Sequence, residues 1–135
     1  MAYEIPGYTR SYEAAVDLSA SYLRFVKLSG ATIVAVSANT DAGIGVLQNK
    51  PNSPATGVFL GAGNSSGTVM ISGVTRVKAG KALAAGIPVY LDSVGRVTDV
   101  AVSGKCVGIT ETACSNADEV VSVNLKPLGA VGADT

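Results

Sequence analysis

Apolar residues along this chain come in short runs rich in Val, Ile, Thr and Leu, and glycines separate the runs. The stretch 121–125 is the cleanest. In Val121-Ser122-Val123-Asn124-Leu125 apolar and polar side chains alternate, so a strand there has one core face and one wet face. The same reading predicts strands at 22–28, 32–37, 45–48, 56–60, 68–72, 75–78, 89–91, 96–100, 106–110 and 120–126. Asp92-Ser93-Val94-Gly95 carries the residues of a hairpin turn between two of them. Helical signals are weak. Residues 11–18 could make two turns with Ser11 as the cap. Residues 81–85 lie between Gly80 and Gly86 and read as a tight bend, after which Pro88 starts or edges a strand.

Many short strands joined by tight turns predict an all-β fold, a single small barrel or sandwich. Its expected extent is 21–127. The tail 128–135 is patternless and small-residue, and is expected to be flexible. The first twenty residues lack strand alternation and are expected to form an extended N-terminal arm. Four of the five tyrosines fall early, at Tyr3, Tyr8, Tyr12 and Tyr22. An irregular segment cannot bury such rings in itself. Either it lies on a partner, where Tyr is enriched among hot spots, or it folds back over its own barrel.

Charge narrows the function. Hydrophobic residues make up 47% of the chain and charged residues 15%, below the share usual for a globular surface. That favours burial of part of the surface against another protein. Ten basic and ten acidic residues cancel, and no Lys/Arg run supplies the field that nucleic acid binding requires, so no nucleic acid partner is expected. No apolar stretch approaches the ~20 residues of a membrane span, and the start has no leader pattern, so synthesis in a cytoplasm without membrane association is expected.

Histidine is absent. The chain therefore lacks a base poised near neutral pH, an imidazole ligand and any Ser-His or Cys-His pair. Cys106 and Cys114 are too few for a zinc site and read as reduced packing residues, although a disulfide between them is open. The glycines of 61–67 lack the order and the following Lys of a phosphate loop. The acidic residues are scattered, with no calcium-loop spacing. No catalytic residue, cofactor or metal is expected.

The segments "YEAAVDLSASYLRFVKLSG", "GVLQNKP", "GVTRVKAGKALAAGIPVYLDSVGRV" and "EVVSVNLKP" occur here in that order. Over about 12–127 the chain resembles the phage capsid decoration, or cement, proteins encoded beside major capsid genes. The resemblance implies a structural virion protein on the outside of an icosahedral head. It would clamp neighbouring major capsid subunits, commonly as a homotrimer. The residues expected at the capsid contact are Tyr3, Tyr8, Arg10 and Tyr12 of the arm, with Gln48, Asn49 and Lys50 at a polar strand exit that is otherwise a plain structural turn. The rival is a receptor- or carbohydrate-binding β module. It is weakened by the absence of Trp, and by aromatics that beyond residue 25 are only Phe59 and Tyr90.

Overall fold

The computed structural model describes residues 2, 4–5, 7–14, 16–49, 66–101 and 106–125. Among the described residues there are ten strands, one 3-10 turn at Ser19–Ser21 and no α-helix. The strands are β1 (Thr9–Ala14), β2 (Phe25–Ser29), β3 (Thr32–Ala35), β4 (Gly43–Leu47), β5 (Ser66–Met70), β6 (Gly73–Lys78), β7 (Pro88–Leu91), β8 (Val97–Thr98), β9 (Cys106–Thr110) and β10 (Val120–Leu125). The all-β expectation holds. Nine of the predicted strands overlie β2 to β10. The tenth, at 56–60, lies outside the described residues, as do most of the 61–67 loop and the tail 128–135.

Five strands close a barrel in the order β1-β3-β2-β4-β5. Its interior holds Ala14, Leu18, Val26, Ile33, Ile44, Leu47 and Val69, with Tyr12 and Ile71 packed against them. A bulge in β4 makes this filling possible. Val26 faces Gly45 while Lys27 faces Gly43, so Ile44 is an extra residue. It turns into the barrel, although Val46, two positions on, points out of it.

The other five strands form a second sheet, β6-β10-β9-β7-β8. A parallel bridge from Ala79 to Val97 curls its two edges together. Its inner face carries Val77, Val89, Leu91, Val107, Val121, Val123 and Leu125. These pack on Phe25, Val46 and Met70, which project from the outside of the barrel. β2 and β5 each divide adjacent apolar side chains between the two cores, Phe25 from Val26 and Met70 from Val69, and β4 does the same with Val46 and Leu47. Each fully buried Val or Leu stabilises by roughly 1.5–3 kcal/mol, so both sheets depend on these three strands.

Residues 11–18, expected as two helical turns, instead supply β1 and the chain that follows it. β1 pairs antiparallel with β5 from Thr9–Met70 to Glu13–Ser66, and parallel with β3 at Glu13–Thr32 and Ala14–Ile33. Tertiary pairing overrides a weak helical preference. The segment 1–20, read as an arm that lies either on a partner or on its own barrel, contributes at Thr9–Ala14 one of the barrel's five strands.

The pairing continues past β1. Ile5 bridges Val74 at the start of β6, with Ile5 N donating to Val74 O at 2.8 Å and Val74 N donating to Ile5 O at 3.0 Å. Ile5 and residues 8–13 therefore run beside 66–74 across the corner between barrel and sheet. At the crossing Gly73 has φ +104, and a Cβ there would lie 2.7 Å from Gly7 N and 2.9 Å from Ile5 O. Only glycine fits so close to another backbone with that torsion.

Candidate functional site

Strand directions decide which ends of the barrel come together. The start of β1, the β2–β3 hairpin, the start of β4 and the end of β5 share one end. Arg10 and Tyr12 sit opposite Val69 and Gly67, on the side of β1 that faces the interior, while Thr9, Ser11 and Glu13 face out. Tyr12 is half-buried against the barrel core. Its cross-strand partner is glycine for a reason. A Cβ on Gly67 would lie 2.7 Å from Ile33 Cδ1 and 2.8 Å from Leu47 Cδ1, so aromatic cover comes from across the pair instead. The Arg10 guanidinium lies 5.3 Å from the Tyr12 ring centroid, a cation–π arrangement at the mouth. Tyr8 and Leu28 complete the rim at 58% and 43% exposure, and Ile71, whose N donates to Tyr8 O at 2.8 Å, packs against the barrel core.

A loop of seven residues brings β4 to this end, passing over β2. One carboxylate holds it. Asp41 Oδ2 accepts from Ser37 N at 2.9 Å, from Ala38 N at 3.0 Å and from Lys27 Nζ of β2 at 2.9 Å. The Lys27 ammonium first, and the Ser37 amide second, pull the Asp41 carboxyl down to about 2.

Gln48 and Asn49 stand where β4 leaves and β5 enters, away from Tyr8 at the start of β1. Asn49 bonds the two residues that flank Gly67, the cross-strand partner of Tyr12, so β5 lies between Tyr12 and Asn49. The amides of Gln48 and Asn49 are engaged within the chain. Gln48 Nε2 donates to Val46 O at 2.9 Å and to Thr75 Oγ1 at 3.0 Å, and the Thr75 hydroxyl donates back to Gln48 Oε1 at 3.2 Å. Thr75 is fully buried on the inner face of β6, so Gln48 satisfies a hydroxyl that burial would otherwise orphan. Asn49 Oδ1 accepts from Thr68 N at 2.8 Å and its Nδ2 donates to Ser66 O at 3.3 Å, so the side chain continues the ladder along β5. This stretch is a strand exit that latches barrel to sheet. Tyr3 and Lys50 lie outside the described residues.

Sequence reasoning missed Leu28 at the rim and Ile44 in the barrel core. Alternation assigns Leu28 to a strand without saying which barrel end it reaches, and the strand predicted at 45–48 starts after Ile44. Cys106 is buried and Cys114 half-buried, both as free thiols. Among the described residues no three His, Cys, Asp or Glu side chains gather as metal ligands, and no helix is long and apolar enough to cross a membrane.

The phage cement protein family matches residues 27–125, which takes in most of β2 and every later strand. The chain belongs to the phage cement protein family. No curated protein matches it. This is a structural family of the phage capsid, so the protein's place is in the virion and its partners are capsid proteins.

Proposed function

We propose that this cement protein sits on the outer surface of the capsid and clamps neighbouring major capsid subunits, using the barrel rim of Tyr8, Arg10, Tyr12 and Leu28 as a contact surface. The family match over both sheets carries the reading. The rim adds to it, because exposed Tyr and Arg beside apolar side chains have the composition of interface hot spots. In this reading the protein is made in the host cytoplasm, associates as a homotrimer and binds no nucleic acid, in keeping with its zero net charge. It has no catalytic role. A protein that binds the assembled shell better than loose subunits stabilises the shell by linkage, and many symmetric copies multiply the gain.

Because β1 belongs to the barrel, the rim is tested by point substitution rather than by deletion. The double variant Tyr8→Ala, Arg10→Ala is mixed with heads assembled without this protein and sedimented. Truncating a hot-spot residue costs about 2 kcal/mol or more, so the apparent Kd should rise at least tenfold while the melting temperature stays near wild type. Stoichiometric pelleting of the double variant at wild-type affinity moves the contact off the rim.

A further inference from the structure

Where the barrel meets the second sheet, four charges collect from distant parts of the chain: Arg24 just before β2, Asp92 and Arg96 at the β7–β8 turn, and Asp118 just before β10. Asp92 is fully used. Its Oδ1 accepts from Val94 N and Arg96 N, both at 2.9 Å, and its Oδ2 accepts from Arg96 Nε at 2.8 Å. Asp118 is not. Its Oδ1 accepts from Arg96 Nη1 at 3.1 Å and stands 3.9 Å from Arg24 Nη2, too far for a hydrogen bond, and its side chain is 62% exposed. Asp118 also holds a left-handed backbone torsion, φ 67, that places its carboxylate between the two guanidiniums.

Arg24 is the unsatisfied member. It makes no side-chain hydrogen bond among the described residues, and its Nε is sealed from solvent without a partner. A guanidinium carries five donors in a planar fork suited to a carboxylate. Two such forks here share one exposed carboxylate oxygen. The two arginines and two aspartates cancel in charge, but the guanidiniums keep donors left over, on a surface separate from the barrel rim.

We propose that the Arg24–Arg96 pair receives a carboxylate side chain of the major capsid protein, and that Asp118 occupies the position until the protein docks. The proposal rests on the shell-binding reading above and adds a second contact of defined chemistry. Charge complementarity selects the occupant, since an acidic side chain pairs with both forks and replaces Asp118 at the arginines.

Opposite substitutions test it, again with full-length protein and heads assembled without it, at low salt. Arg24→Gln removes the receiving fork and should weaken binding roughly tenfold, with a melting temperature near wild type because the Gln amide keeps a polar atom at the buried Nε position. Asp118→Asn removes the competitor and should tighten binding by roughly two- to fivefold. Asn is well accommodated at that backbone torsion, so the fold is kept. Both effects should fade as added salt screens the charges. If both variants bind like wild type, or both bind more weakly, the cluster is only an internal brace and the proposal fails. Wild-type protein that does not pellet with heads refutes the shell reading and this proposal together, whereas wild type that pellets beside an equally bound Arg24→Gln refutes this proposal alone.

Discussion

Replacing Gly73 with alanine probes the corner where Ile5 and Gly7 meet the β5–β6 junction. Two costs are separable. The first is conformational, because φ +104 is a region that L side chains rarely adopt, at about 1–3 kcal/mol. The second is steric. The new Cβ would lie within 2.9 Å of Gly7 N, Gly7 Cα and Ile5 O, all backbone, so it cannot be relieved by a side-chain rotation. Ile5 and Gly7 must lift away, with loss of the two Ile5–Val74 hydrogen bonds, at ~1 kcal/mol each. The sum is about 3–5 kcal/mol, a large share of the ~5–15 kcal/mol of an ordinary domain. With a urea slope of ~2 kcal/mol/M the unfolding midpoint should fall by ~1.5–2.5 M. Gly86→Ala is the control. Its φ of +79 is also positive, but nothing lies within 4 Å of the added carbon, so it should lose only the conformational ~1–2 kcal/mol. The excess of the first variant over the second should vanish in a chain lacking residues 2–7. Equal losses in the two full-length variants would refute the reasoning.

The Asp41 carboxylate makes stability depend on acidity. Its folded value of about 2 lies below the ordinary 3.8, so its contribution is complete above about pH 4 and is lost as pH falls through 2. Urea midpoints measured from pH 5 to pH 2 should drop more steeply for wild type than for Asp41→Asn. Gln48→Ala should cost about 1–3 kcal/mol in thermal or urea unfolding by orphaning the buried Thr75 hydroxyl. Adding Thr75→Val should recover part of that loss.

The strands from β2 onward were legible because Val, Ile and Thr concentrate in them and glycines mark their ends. β1 was not, although its alternation is real. Its inward positions are Arg10, Tyr12 and Ala14, and only the last looks like core. A strand that starts at a barrel rim carries rim chemistry on its inner face. Gln48 was legible as the end of a strand but not as the partner of Thr75, because no local pattern links positions 27 apart. The Arg24–Arg96–Asp118 cluster was hidden for the same reason, and the positive φ of Leu23 and Asp118 has no compositional mark such as glycine provides. The two ends of the barrel follow from register and bulges, which sequence alternation does not encode.

The antiparallel partner of β1 has a consequence for the order of assembly. Thr9–Ala14 leave the ribosome before their partner Ser66–Met70, which follows roughly 50–60 residues later, about 3–12 s at ordinary rates of synthesis. During that interval β2 and β3 can form their hairpin, while one edge of β1 waits without its mate. An apolar strand left waiting in a crowded cell would recruit the same strand of a neighbouring chain. Thr9, Arg10, Ser11 and Glu13 make this one soluble while it waits, so the polarity that concealed the strand from sequence reading is also what protects the nascent chain until the barrel closes.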